Sequence, residues 1–218
     1  MADVLQMLRE HSQGQRGKLS IAALPGAAAD WIPKILAKFR KSYPGIRVRL
    51  YDTVSDEVLD LIRAGVVDFG INRELGQEGE FDYERLFHDP HYLVCRPDHP
   101  LAKRKRIKLA QLAGYDFIHS APSSSLAQRL YPHLNRIAIR ETGHIFSNMS
   151  TGAGLVLHGM GITVVAGQSL FNFERLGLVA IPVTDAGLKS AVYLLKRRGH
   201  PLSFAANALR DAIKANLP

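Results

Sequence analysis

Along residues 18–71 the apolar positions switch repeatedly between a period of two and a helical period. Lys18-Leu-Ser-Ile-Ala-Ala-Leu24 reads as a strand and runs into a small-residue turn, Pro25-Gly-Ala-Ala-Ala29. From Asp30 to Tyr43, Trp31, Ile32, Ile35, Leu36 and Phe39 share one stripe, with Lys34, Lys38, Arg40 and Lys41 opposite, which predicts an amphipathic helix. Asp30 is expected to cap this helix, Pro33 to fall in its first turn and Tyr43-Pro44-Gly45 to stop it. Ile46, Val48 and Leu50 then alternate with Arg47, Arg49 and Tyr51. An interior parallel strand would be apolar on both faces, so this one is expected at a sheet edge. After Asp52-Thr-Val-Ser55 a second helix buries Val58, Leu59 and Ile62 and ends at Ala64-Gly65, and Val66 to Ile71 is a third strand. The order is β-α-β-α-β with short connections, the unit of a parallel sheet flanked by helices. Ligands of such sheets sit beyond the carboxyl ends of the strands, which singles out the turns Leu24–Ala29 and Asp52–Asp56.

The second half repeats the plan. A polar loop from Gly76 to Phe81 precedes a broken extended stretch, Leu86-Phe87 and His91 to Arg96. Asp116 to Ser120 reads as a strand, Leu126 to Leu134 as a helix, Ile137 to Arg140 as a strand, and Ser147-Asn148 as the start of a helix through Gly159. Gly161 to Val165, Leu178 to Val183 and Ala191 to Leu195 are further strands. A closing helix from Ser203 to Leu217 is expected to turn Phe204, Leu209 and Ile213 inward. Two α/β lobes of similar size follow, with two crossings between them and a cleft as the expected binding site.

Composition narrows the class. The chain has 218 residues, 46% hydrophobic and 22% charged, which suits a globular protein with ample core. No run reaches the roughly 18 apolar residues of a membrane span, and the first ten residues lack a signal layout, which argues against export. A single cysteine, Cys95, excludes an intrachain disulfide framework, fits a reducing cytoplasm, and reads as a packing residue. The net charge of +8 reads either as attraction for nucleic acid or anions, or as a solvated basic surface; the scatter of the charges favours the second. Lys103-Arg-Lys-Arg-x-Lys108 is read the same way. Gly152 to Gly161 has the wrong spacing for a dinucleotide fingerprint and reads as close helix packing. His88, Asp89, His91 and His99 lack zinc-site spacing, and Ser123-Ser-Ser125 lacks a nucleophile elbow, so no metal, cofactor or catalytic residue is assigned.

Six segments in order resemble the regulatory domain of LysR-type transcriptional regulators. They are Gly17-Lys-Leu-Ser-Ile-Ala; Pro33 with Phe39 and Tyr43-Pro44; Leu61-x-x-Ala-Gly65; Asp68-Phe-Gly-Ile71; His99-Pro-Leu-Ala102; and Leu155-Val-Leu-His-Gly-Met-Gly-Ile162. The resemblance runs from about Gly17 to the C-terminus. It implies two Rossmann-like subdomains around a cleft, similar to type II periplasmic binding proteins. Subdomain I would be 17–88 with 192–218, and subdomain II 89–191. Residues 1–16 would be a remnant of the family's linker helix (Val4 to Ser12) and a joint, and the winged helix-turn-helix would be absent.

The resemblance also implies ligand contacts at Leu24, Pro25, Gly26, Thr53, Ser55 and Arg73 in the first lobe, and at His119, Ser120, His144, Ser147 and Asn148 in the second. Helix N-termini and hydroxyls there suit a small carboxylate or other polar anion. Arg73 reads either as a bidentate carboxylate partner or as a solvated loop arginine, and each hydroxyl alone as an N-cap. The implied function is a non-enzymatic, cytoplasmic metabolite sensor. It would pair as a homodimer through the edge strand 46–51 and the helix 30–42, and form a tetramer in the full-length protein. It would reach DNA only through the absent N-terminal domain, with RNA polymerase a further partner and no membrane. A transporter's solute-binding protein is the first alternative, and an enzyme on the same fold the second.

Overall fold

The computed structural model describes residues 17–73, 79–185, 188 and 190–218. The expected linker remnant and joint at 1–16, and residues 76–78 of the expected loop, lie outside them. The chain divides into two units, one made of the residues up to Phe87 with Ala191–Pro218 and the other of His88–Ser190.

In the first unit β1 (Gly17–Ala23) pairs in parallel with β2 (Ile46–Asp52) on one side and with β3 (Phe69–Arg73) on the other. β10 (Ser190–Arg197) runs antiparallel to β3, and β4 (Phe81–Asp89) completes the order β2-β1-β3-β10-β4. β2 is therefore an edge, as its alternation requires, and Ile46 is its one fully buried side chain. The expected loop residue Phe81 instead opens β4 and is buried. Helices cover both faces of this sheet. α1 (Ile32–Ser42) and α6 (Phe204–Lys214) bury Ile32, Ile35, Phe39, Leu209 and Ile213 against Leu19, Ile21 and Ala23. α2 (Ser55–Arg63) lays Val58, Leu59 and Ile62 against Ala22 on the other face.

Two details of these helices differ from expectation. Asp30 is not a cap: a wide turn of π-helix over Ala27–Trp31 precedes α1, the Ile32 N–H donates to the Ala27 carbonyl, and Asp30 pairs with Lys34 at 2.6 Å. Pro33 explains the widening, because its ring cannot donate and crowds the carbonyl one turn earlier. Phe204 is 52% exposed, since Ser203 caps α6 and leaves Phe204 on its first, outward position.

The second unit holds β5 (His91–Cys95) between β8 (Thr163–Ala166) and β9 (Val179–Pro182), antiparallel to both. β6 (Asp116–Ser120) and β7 (Arg140–Phe146) pair in parallel, and a parallel bridge from Phe117 to Ile162 ties them to the β8 side. The expected strand at Ile137–Arg140 is displaced: β7 starts where that segment ends. α3 (Ser125–Leu134), capped by Ser124, buries Leu126, Leu130 and Leu134 beside Leu93, Cys95 and Phe117. α4 (Met149–Leu157), capped by Asn148, packs Ala153 and Val156 with Val94, Ile118 and Phe146, and the short α5 (Phe171–Glu174) adds Phe173.

Glycine marks the closest approaches. A Cβ on Gly70 of β3 would lie 2.5 Å from Val58 Cγ1 and 2.9 Å from Ile62 Cδ1, so α2 seats itself on a bare backbone. Gly154 in α4 has nothing near it. Gly70→Ala therefore lowers unfolding free energy by about 1–3 kcal/mol through overpacking, whereas Gly154→Ala raises it by about 0.5–1 kcal/mol by removing chain entropy. Urea unfolding of the two variants checks the opposite signs.

Candidate functional site

Parallel register aligns the strand ends of the first unit. Ala23 lies opposite both Asp52 and Ile71, so β1 and β2 end at one level and β3 runs two residues further, to Arg73. The Leu24 N–H donates to Ile71 O at 3.2 Å and the Thr53 N–H to Ala23 O at 3.1 Å, holding both turns against the sheet. Leu24 is buried and offers backbone, Pro25 is exposed and Gly26 half-buried. The Thr53 hydroxyl turns back on its own helix and donates to the Glu57 carboxylate. Ser55 does not cap: Val54 holds that position with no side-chain hydrogen bond, and Ser55 is the first residue of α2. The reading of Thr53 and Ser55 as simple N-caps therefore does not hold.

Arg73 is the last residue of β3 and only 6% exposed, which removes the alternative of a solvated loop arginine. Sequence reading missed its neighbour Asn72, fully buried, whose Nδ2 donates to Ser55 O and whose Oδ1 accepts the Arg73 N–H, both at 2.8 Å. One side chain thus ties the exit of β3 to the first turn of α2. A lone Asn inside an apolar strand was the available signal.

The second unit has a wall of its own, at the carboxyl ends of β6 and β7. Ser120 lies opposite Phe146, and Ala121 N–H donates to Phe146 O at 2.7 Å, which brings Ser147 and Asn148 beside the exit of β6. Ser147 and Asn148 are exposed, and Asn148 Oδ1 accepts the Ser150 N–H at 2.8 Å as the cap of α4. His144 is not at this end. It lies inside β7, half-buried, with its N–H donating to Thr142 Oγ1.

Ser120 is 4% exposed and its Oγ accepts from the Ser124 hydroxyl at 3.3 Å. His119 stands between the rings of Phe117 and Tyr131, with centroids at 5.0 and 5.1 Å, and its Nε2 lies 2.6 Å from Glu141 Oε2. Its Nδ1 is buried with no hydrogen-bond partner among the described residues. Tyr131 donates to Ser120 O, and burial first, then the Glu141 charge, pushes its phenol above the usual range. Tyr131 and Glu141 escaped sequence reading because one lies on a helix face and the other in a strand placed too early.

Among the described residues no group of three or more His, Cys, Asp or Glu could hold a metal, and no helix is long and apolar enough to cross a membrane. Cys95 is fully buried, and burial, then the Asp98 charge, pushes its thiol up to about 11. Ellman's reagent at pH 8, well below that value, is expected to leave Cys95 unmodified in the folded protein and to titrate it on denaturation.

The LysR substrate binding domain family model matches residues 12–218. The Hca operon transcriptional activator HcaR of Escherichia coli K12 is 30% identical over 207 residues, 90% of this chain and 66% of that protein. The chain spans only 64–66% of the length of HcaR and two further curated relatives, both named as transcriptional regulators. Among solved structures, the Synechocystis PCC6803 CcmR regulatory domain in complex with 2-PG matches with a TM-score of 0.81 and 24% identity, covering 92% of this chain and 97% of that one. The effector binding domain of QuiR in complex with shikimate matches at 0.78 and 19%, covering 92% and 96%. These likenesses establish the fold as that of LysR regulatory domains, similar to type II periplasmic binding proteins. The family match over nearly the whole chain goes further: the chain belongs to the LysR substrate binding domain family, the effector-binding domain of LysR-type transcriptional regulators.

Proposed function

We propose that the effector is a small carboxylate or similar polar anion and that the strand ends described above supply its contacts. The observation carrying this reading is the buried His119 Nδ1, which has no hydrogen-bond partner among the described residues, beside buried Ser120. Buried polar atoms are normally satisfied; with Nε2 facing the Glu141 carboxylate, Nδ1 is the ring's acceptor and marks a place for a hydroxyl of a hydroxylated effector or for a water. Ser124 and Asn148 open α3 and α4 near it, and helix N-termini favour negative charge. In the first unit α2 begins without a side-chain cap, and buried Arg73 adds positive charge at the end of β3. The complexes of CcmR with 2-PG and QuiR with shikimate support a small-molecule effector, and shikimate is itself a carboxylate.

On this reading the domain is a non-enzymatic, cytoplasmic sensor. In the full-length protein effector binding would bias one arrangement of a homo-oligomer over another, which changes its hold on DNA only as far as the two arrangements differ in effector affinity. Edge strand β2 and helix α1 are the candidate dimer face. DNA contact and any contact with RNA polymerase belong to the whole regulator.

A thermal-shift screen of small carboxylates, with shikimate among the probes, tests the assignment. A hit raises Tm, and Ser120→Ala or His119→Phe is expected to reduce the rise by at least half at fixed concentration. Thr53→Ala has the smaller effect, because its hydroxyl is engaged by Glu57. Hits that respond to none of these changes place the effector elsewhere.

A further inference from the structure

The second unit carries another cavity, at the amino ends of the strands whose carboxyl ends form the wall just described. Its volume is about 300 Å³, at the small end of ligand pockets and of metabolite size. Arg96 and Asp98 come from the turn after β5, Tyr115 and Asp116 from the start of β6, Arg140 from the start of β7, and Gly159 and Gly161 from the loop before β8. His99 and Pro100 complete the lining. Asp116 and Ser120 are four residues apart on β6, so this cavity lies roughly 13 Å from the effector wall.

The cavity is built rather than incidental. Gly161 has φ +144°, and a Cβ there would lie 2.6 Å from Asp116 O, so only glycine leaves this floor open. Ile162 N–H donates to Asp116 O at 2.8 Å and Arg140 N–H to Tyr115 O at 2.9 Å, which fixes the two strand starts. The His99 and Tyr115 rings lie 5.0 Å apart and give the cavity a flat, partly apolar side. His99 Nδ1 accepts the Leu101 N–H at 3.2 Å, which leaves Nε2 as the ring's donor, and burial lowers the basicity of the ring against the opposing charge of Asp98.

Its charges are balanced. Arg96 pairs with Asp98 through 2.9 and 2.7 Å bonds, and Arg140 Nε lies 3.0 Å from Asp116 Oδ1. Arg96 Nη1 also donates to Leu157 O, one of the carbonyls at the C-terminus of α4, an end that favours positive charge. All four charged side chains are substantially exposed, so their pairing is weak and can be exchanged for ligand groups at little cost. A cavity offering two guanidiniums and an Nε2–H to an anion, and two carboxylates and a helix C-terminus to a cation, complements a molecule carrying both signs.

We propose that this cavity is a second ligand site, distinct from the effector wall, for a small zwitterion of the α-amino acid class. The carboxylate is taken by Arg140 and His99, the ammonium by Asp116 and Asp98, and the side chain lies against His99, Pro100 and Tyr115.

Titration of the ¹⁵N-labelled chain with the proteinogenic L-amino acids, each compared with its N-acetyl and its methyl ester form, tests the site by NMR. At least one free amino acid is expected to bind saturably, with amide shifts centred on His99, Tyr115 and Gly161 and few at Ser120 to Ser124. Each blocked form, lacking one charge, is expected to bind about tenfold more weakly or worse, as are Arg140→Gln and Asp116→Asn; the second keeps the shape of the side chain if the first perturbs folding. The proposal is overturned if no free amino acid saturates below roughly 10 mM. It also fails if blocked forms bind as well as free ones, or if the shifts centre on Ser120 to Ser124.

Discussion

The parallel pairing of β1 with β2 and β3 is the constraint on which the first unit depends. Parallel strands need a crossover, and a right-handed crossover returns each helix to a face of the sheet. Ala23 opposite Asp52 ends β1 and β2 together, while β3 runs two residues past Ile71 to Arg73. The added length of β3 carries the side chain of Asn72 to the start of α2, next to the strand end from which Leu24 N–H donates to Ile71 O. Asn72 converts that alignment into hydrogen bonds by joining Arg73 N–H to Ser55 O. Its burial is tolerated because both polar ends of the amide are satisfied.

Most of the elements were legible in the sequence because each rests on local periodicity. The alternation of Ile46 to Tyr51 marked an edge strand, and β2 is an edge. The small residues at Gly152 read as close packing, and a Cβ there would lie 2.7 Å from the Phe146 ring. Local rules failed where a tertiary or backbone effect competed with them. Asp30 looks like a cap, but the helix starts a turn earlier and absorbs Pro33 through a π turn. Arg140 looked like the end of a strand and is its beginning, because the Tyr115 carbonyl captures its N–H.

Side-chain partnerships were less legible than elements. His119 and Ser120 could be placed at a strand end from sequence, with Phe117 two positions back on the face of His119, but not the Tyr131 ring against His119, nor the Glu141 carboxylate at its Nε2. Those two partners are 12 and 22 positions away, spacings that carry no periodic signal until β6 and β7 are in register. Thr53 shows the converse. Its hydroxyl sits at an inviting turn, yet Glu57 one helical turn later claims it.

The direction of the strands gives the second unit two chemically different ends. At the carboxyl ends, α3 and α4 begin, their first-turn amides point outward, and Ser124 and Asn148 satisfy one amide each. That end suits anions. At the amino ends the same α4 finishes, its Leu157 carbonyl accepts from Arg96, and Asp98 and Asp116 add negative charge that two arginines balance. One helix thus contributes its N-terminus to one end and its C-terminus to the other, so the polarity of the chain separates an anion-favouring wall from a charge-balanced cavity. At the amino end each of the two carboxylates faces a guanidinium, Asp98 with Arg96 and Asp116 with Arg140, so that end carries no net charge of its own. The difference between the two ends comes from the direction of the backbone rather than from any one residue.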